Sequence, residues 1–247
     1  MADWPEGVGR VLLERIDSTN AEAGRRAAAG ETGPVWIMAR QQTAARGRRG
    51  RAWIAPEGNF GASLLMPAPG GPAEAALRSF TAALALREAL AGLTGLGEGL
   101  SLKWPNDVLL EGAKLAGILL EGAVPATLVI GIGVNLRYAP PLAALEPGAT
   151  APVSLFEATG IALAPEALLT PLAAAFAGWE ARHVAEGFHP VRAAWLAQAA
   201  GLGRRVRARL PGTTLEGIFE TVDETGALVL NTGRARQRVN AADIQFS

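Results

Sequence analysis

The sequence predicts an α+β protein in two parts: a larger body of strands and helices over residues 1–200, and a small β-barrel over residues 201–247. Three observations carry this reading. Between residues 11 and 138, β-branched and aromatic runs of strand length recur. Two long stretches, 72–93 and 165 to about 200, repeat apolar residues at helical spacing. After Gly201-Leu202-Gly203 the texture changes to short alternating runs separated by turn residues.

Taken in order, Val11 to Asp17 forms a strand ending at the polar turn Ser18-Thr19-Asn20, where Ser18 or Thr19 serves as a helix cap. Ala21 to Gly30 has helix-forming composition with a glycine stop. Strands follow at 34–42 and 58–66, joined by a basic loop. The helix over 72–93 carries Pro72 early and Gly92 and Gly95 at its end. Residues 100–122 read as two strands joined at Glu111-Gly112-Ala113, a hairpin bringing Lys103, Asn106 and Asp107 close to Lys114. A strand over 126–138 contains Gly131 and Gly133, which suits a backbone running close to a ligand or another strand. Residues 139–164 read as loop plus a short helix, and the last helical stretch breaks near Gly187 to Pro190, with Trp179 and Trp195 as packing residues. In the barrel, Arg204, Arg205, Arg207 and Arg209 alternate with Val206 and Ala208 as a solvated strand face, and the turns fall at Pro211-Gly212, Glu224-Thr225-Gly226 and Thr232-Gly233.

Composition narrows the function. The 23 Lys+Arg balance 23 Asp+Glu, which argues against a chain living on nucleic-acid backbones. The absence of cysteine removes disulfides, thiolate nucleophiles and cysteine zinc sites. The N-terminal segment is acidic where a signal peptide needs lysines, and no run approaches the roughly 18 unbroken apolar residues of a membrane span, so the reading is soluble and cytoplasmic. His183 and His189 lack partners at metal spacing, and no metal-ligating residue is assigned. There is no phosphate-loop motif, and the 131–136 segment lacks the third glycine of a dinucleotide fingerprint.

What remains is cationic. Residues 41–53 alternate Arg46, Arg48, Arg49 and Arg51 with Gly47 and Gly50 before Trp53. On its own such a loop reads equally as a nucleic-acid arm or as a phosphate grip, and its glycines and close-set arginines predict mobility until an anion arrives. With Lys114-Leu115-Ala116-Gly117, the Asn106-Asp107 pair and the Ser18-Thr19-Asn20 turn, the set suits an anion beside a neutral polar group.

These segments, in this order, resemble the motifs of biotin protein ligases. Asp17-Ser18-Thr19-Asn20 matches the first motif, 42–53 the Gly/Arg loop, Lys103-Trp104-Pro105-Asn106-Asp107 and Lys114 to Leu119 the central hairpin, and Gly131-Ile132-Gly133-Val134-Asn135 the strand after it. One departure is Ala45, which stands where a glycine usually opens the loop. The resemblance implies a mixed-sheet catalytic domain of the biotin/lipoate ligase type (1–200) with an SH3-like C-terminal barrel (201–247). It implies ATP-dependent activation of biotin to biotinyl-5′-AMP, with Mg²⁺, and transfer to a lysine of a biotin carboxyl carrier protein domain of a carboxylase. Only 17 residues precede Ser18, so the expected type is monofunctional, without a DNA-binding domain, acting away from membranes and compatible with a homodimer.

Carried onto this sequence, the family's motifs imply catalytic roles for Lys114, Arg48 and Asp107. They imply ligand binding by Ser18, Thr19, Asn20, Gln42, Arg46, Gly47, Arg48, Trp53, Asn106, Lys114, Gly117 and Asn135. Arg46, Arg48 and Lys114 would stabilise charge at the α-phosphate. Ser18, Thr19 and Gln42 would bond the neutral ureido head. Asn106 and Asp107 would hold Mg²⁺-bound phosphate or orient the incoming lysine. Two other readings stay open: a lipoate or octanoate ligase or transferase, the missing cysteine disfavouring transferases with a cysteine nucleophile and the lack of an Arg-Arg and triple-glycine stretch disfavouring the group, and a non-catalytic RNA- or phosphate-binding module, disfavoured by zero net charge and 6% aromatic content.

Overall fold

The β-branched runs assemble into one mixed sheet in the computed structural model, which describes residues 2–54, 56–146, 148–210 and 212–246. Its strands are β1 (Gly9–Ile16), β2 (Val35–Gln42), β3 (Phe60–Pro67), β4 (Leu100–Lys103), β5 (Asp107–Leu110), β6 (Ala113–Gly122) and β7 (Thr127–Val134), in the order β1-β2-β3-β7-β6-β5-β4. Only β1 and β2 run parallel, because the helix α1 (Thr19–Ala28) supplies the crossover that a parallel pair needs. Ser18 caps α1 by accepting from the Ala21 amide at 3.4 Å.

The two faces of the sheet are buried differently. Alternate residues such as Trp36, Leu64, Ile130 and Ile132 face α2 (Gly71–Thr94), α4 (Pro165–Glu186) and α5 (Phe188–Leu196); the short α3 (Leu155–Thr159) lies between α2 and α4 in the chain. Trp36 meets Phe176 edge-on with centroids 6.1 Å apart, and Phe80 meets Trp195 at 5.2 Å. On the opposite face Val35, Ile37, Leu65 and Val129 pack against Ala23 and Ala27 of α1. Because α1 covers only part of that face, the remainder is open for a site.

A second, fully antiparallel sheet follows: β8 (Arg205–Leu210), β9 (Thr213–Val222), β10 (Leu228–Asn231), β11 (Arg236–Val239) and β12 (Asp243–Phe246), in the order β11-β10-β9-β8-β12. Val206 and Ala208 are buried between exposed arginines, as the alternation predicts. Phe219, Leu228 and Leu230 join the same continuous core as the first sheet, and the Trp104 indole donates to the Gly226 carbonyl at 2.9 Å. No helix among the described residues is long and apolar enough to cross a membrane.

Three expectations need correction. The first arm of the 100–122 hairpin is two strands, since the chain turns at Trp104 to Asn106 and doubles back, so β4 pairs with β5 and β5 with β6. The strand expected to reach 138 ends at Val134, and α5 ends at Leu196, where the backbone turns to pair with β4 through Leu102 and Ala199. Pro211 of the expected Pro-Gly turn lies outside the described residues.

Between α2 and α4 the core holds ions. Arg78, 5% exposed, lies 3.0 Å from Glu180 and 3.2 Å from Glu74. Beside it His183 is buried, its Nδ1 3.3 Å from the Thr81 hydroxyl, and burial pushes its pKa below the ordinary histidine range. Removing only the cation strands a largely buried carboxylate. Arg78→Ala should therefore destabilise the fold by about 3–5 kcal/mol in denaturant unfolding, and adding Glu180→Leu should recover part of that loss.

Candidate active site

The floor of the site is a row of glycines. Gly61 on β3, Gly133 on β7 and Gly117 on β6 are direct cross-strand neighbours, so one face of three adjacent strands carries no side chain there. The space is taken by others. A Cβ at Gly133 would stand 2.5 Å from the Trp53 ring and one at Gly117 3.2 Å from it, while a Cβ at Gly61 would meet the Gln42 amide nitrogen at 2.2 Å. One step along β7, a Cβ at Gly131 would meet Asn20 Oδ1 at 2.1 Å.

The N-terminus of α1 forms a polar wall over this floor. The Thr19 amide and hydroxyl donate to Gln42 Oε1 at 2.8 and 3.1 Å. The Ser63 hydroxyl, fully buried on β3, lies 2.8 Å from Thr19 Oγ1 and 2.5 Å from Asn20 Oδ1. Asn20 in turn donates to Glu121 at 2.7 Å, and Glu121 faces Arg46 at 3.7 Å. Every member fixes the next, so side chains that are free rotors in a peptide are held here. Just before the wall, the Arg25 guanidinium and the Ser18 amide hold the Asp17 carboxyl down to about 2, locking the turn into α1. Ser18 both caps the helix and lines the cavity.

The opposite wall is cationic. Lys114 Nζ lies 2.7 Å from Asp107 Oδ1, an ion pair by distance rather than an aligned hydrogen bond, and 5.8 Å from the Trp53 ring centroid. Its backbone is clamped: the amide donates to the Ala151 carbonyl at 2.7 Å and the carbonyl accepts from Val153 at 3.0 Å. Arg48, half-buried, donates to Asn106 Oδ1 at 3.0 Å, while Asn106 Nδ2 donates to the Ile118 carbonyl at 2.6 Å. Burial lowers the Arg48 pKa against the pull of Asp243 and Asp107. Lys103, 7% exposed, donates to the Thr150 hydroxyl and lies 5.5 Å from the Phe246 ring, and burial lowers its pKa. Besides Asp107 Oδ1, two buried polar atoms here, Trp53 Nε1 and Asn135 Oδ1, have no hydrogen-bond partner among the described residues.

The basic loop closes the top. Arg46 and Ala52 bridge across it, Gly47 donates to the Arg51 carbonyl at 2.7 Å, and the Trp53 amide donates to the Ala45 carbonyl at 2.9 Å. Ala45 is buried in this turn, so the methyl group in place of the usual glycine is accommodated. Arg49 takes a left-handed backbone conformation at φ 60°, a strained state for a residue with a Cβ. It reaches Asp243 of β12 at 2.7 Å, and Arg51 reaches Asp243 at 3.3 Å and Glu146 at 2.8 Å. Burial works against the Asp243 carboxylate, yet Arg49, Arg51 and Arg48 together hold its pKa below the ordinary range. The close-set arginines are thus held by acceptors, Asp243 serving two of them, and the loop lies over the cavity.

The cavity is about 230 Å³. The residues singled out from the sequence meet there: the first-motif turn, Gln42, Arg46, Arg48, Trp53, Asn106, Asp107, Lys114, Gly117 and Asn135 all line it, and only Gly47 does not, since its backbone supports the loop. Ser63, Glu121 and Asp243 had not been singled out, and Lys103, named in the hairpin, had been given no role in the site. Arg209, expected on a solvated face, also lines the cavity. No group of three or more His, Cys, Asp or Glu among the described residues is placed to hold a metal.

The chain matches two family models: the biotin/lipoate A/B protein ligase family over residues 12–135 and the biotin protein ligase C terminal domain over 201–247. It is 50% identical to the biotin--[acetyl-CoA-carboxylase] ligase of Paracoccus denitrificans, covering 95% of this chain and 99% of that one. The ligase of the same name from Mycobacterium tuberculosis is 36% identical over 94% of this chain and 87% of its own. A biotin protein ligase from Aquifex aeolicus, solved in complex with biotin and ATP, superposes with a TM-score of 0.85 over 97% of this chain and 99% of its own at 23% identity. With a family model matched over half its length and relatives this similar end to end, the chain belongs to the biotin/lipoate A/B protein ligase family, within its biotin protein ligases.

Proposed function

We propose that this protein activates biotin with ATP to biotinyl-5′-AMP and passes the biotinyl group to a lysine of a biotin carboxyl carrier protein domain. The observation that carries the reading is one cavity with a neutral hydrogen-bonding wall on one side and Arg48 and Lys114 on the other, beneath the loop that carries Arg46. A neutral ureido ring fits the first wall. The second suits two anions that must react.

In the first half-reaction a carboxylate oxygen attacks the α-phosphorus and pyrophosphate leaves. Charge builds on the α-phosphate oxygens, and cations already in place stabilise it without reorganising. Lys114 is the best mounted of these, since its strand is clamped on both backbone groups and Asp107 steadies the ammonium. Arg48 adds a rigid fork held by Asn106. In the second half-reaction the carrier lysine attacks the acyl carbonyl and AMP leaves with the bonding electrons. Trp53 and Asn135 carry the unpartnered Nε1 and Oδ1, and these are the groups we assign to the nucleotide half.

Mg²⁺ would arrive with the nucleotide, neutralising phosphate charge when bound. The residues fit that role: Asp107, Glu146 and Asp243 line the cavity but each is engaged by a lysine or arginine, so the nucleotide's own phosphate oxygens would supply most of the ligands, and Asn106 and Asp107 would hold the bound phosphate.

Lys114→Gln should keep the fold and thermal midpoint while slowing biotin-dependent exchange of pyrophosphate into ATP by on the order of 10²–10³. Exchange at the parent rate would remove Lys114 from the chemistry. Offered biotin and lipoate side by side with Mg-ATP and a carrier domain, the protein should transfer biotin, and a preference for lipoate would overturn the substrate assignment.

A further inference from the structure

Two residues bonded into the polar wall do not line the cavity: Ser63, fully buried on β3, and Glu121 on β6. The protons available to the wall show what they do there. A carboxylate only accepts, so Asn20 presents Nδ2 to Glu121 Oε2 at 2.7 Å, which turns its Oδ1 toward Ser63. That oxygen also only accepts, so the single Ser63 proton goes to it across the 2.5 Å contact. The 2.8 Å contact between Ser63 and Thr19 is then bridged by the Thr19 proton, which lies between Ser63 Oγ and, at 3.1 Å, Gln42 Oε1. Gln42 Oε1 is held a second time by the Thr19 amide at 2.8 Å, and the edge left for a ligand is Nε2, over Gly61 on the cavity floor. Each link runs in one direction, and Glu121 sets it.

We infer that Glu121 is a specificity-determining positioning residue: by directing this chain it makes Thr19 Oγ1 an acceptor and Gln42 Nε2 a donor toward the ligand. The inference rests on the biotin-activating function proposed above and deepens it. A cyclic urea offers the matching pair, an N–H beside a carbonyl oxygen. A ring with an oxygen in place of that N–H sets its lone pairs against those of Thr19, which is buried and has no water to turn to. Arg46 faces the other Glu121 oxygen at 3.7 Å, so both neighbours of the carboxylate are donors and no rotation of it reverses the chain. A glutamine at that position reverses it. With its carbonyl toward Arg46, its amide nitrogen faces Asn20, the Asn20 amide turns over, Ser63 accepts from Nδ2 and donates to Thr19, and the Thr19 proton is released toward the ligand.

The test measures equilibrium binding to the folded protein, without ATP, of biotin and of the two cyclic carbamate analogues in which one or the other ureido N–H is replaced by a ring oxygen. The parent should bind at least one analogue about tenfold or more weaker than biotin. In Glu121→Gln that ratio should fall to about threefold or less, because Thr19 now donates. Glu121→Gln combined with Asn20→Asp should restore it, since a carboxylate at position 20 accepts from the new amide and from Ser63 alike. Ser63→Ala, which cuts the chain without touching Glu121, should also lower the ratio, and it carries the test if Glu121→Gln does not fold. A Glu121 that only braces the loop and α1 would weaken all three ligands equally and leave the ratio unmoved. An unmoved ratio, no recovery in the combined variant, or a parent that binds both analogues as tightly as biotin overturns the inference and leaves the proposed function standing. A parent that does not bind biotin overturns both.

Discussion

The contact on which the site depends is the Trp53 indole lying on a sheet surface that has no side chains. Gly61, Gly133 and Gly117 stand side by side on β3, β7 and β6, and none of them is in the left-handed region, so their backbone could be adopted by any residue. Space is what they provide. A single methyl at Gly133 would enter the Trp53 ring at 2.5 Å, and because protein interiors are close-packed there is nowhere for the ring to go except outward, taking the loop with it. The seven-stranded sheet sets the row in register, α1 leaves that part of the face uncovered, and the loop descends on it through Trp53. The cavity walls are then completed by residues brought in from both sheets.

Closing four arginines over a small cavity has an electrostatic cost, and the structure shows how it is offset. The guanidiniums meet acceptors on several elements: Glu121 on β6 for Arg46, Asn106 beside β5 for Arg48, and Asp243 on β12 shared by Arg49 and Arg51, with Glu146 also on Arg51. At these distances an ion pair near the surface contributes modestly on its own, but here the pairs part like charges that would otherwise repel across a few ångströms. The strained backbone at Arg49 is the price of reaching Asp243. The C-terminal sheet is thereby part of the lid, through Asp243 and Arg209, and is not merely an appendage to the core.

Much of this was legible in the sequence because the chemistry is concentrated in short segments. The first-motif turn, the Gly/Arg loop, the 103–107 and 114–119 segments and the 131–135 strand each carry their signal locally, and the sheet brings them together. Ser63 was not legible: a lone serine inside the apolar run from Gly61 to Met66 looks like any tolerated small residue until Thr19 and Asn20 are seen to close on it. Glu121 and Asp243 were hidden for the same reason, since their partners lie 75 and 194 positions away in the chain. The turn that splits β4 from β5 was missed because Lys103 to Asp107 has no glycine, and apolar residues flank it on both sides. Arg209 was read as solvated from its alternation, which is correct for the strand but says nothing of what stands in front of it.

The central claim is that the glycine row exists to receive Trp53, and a double-mutant cycle on biotinyl-5′-AMP release tests it most directly. Release rates would be measured for the parent, Gly133→Ala, Trp53→Ala and the double variant. Both single changes should speed release, and the double variant should be no faster than Trp53→Ala alone, which corresponds to a coupling within about 0.5–3 kcal/mol. Strictly additive effects, or parent-like release from Gly133→Ala, would contradict it.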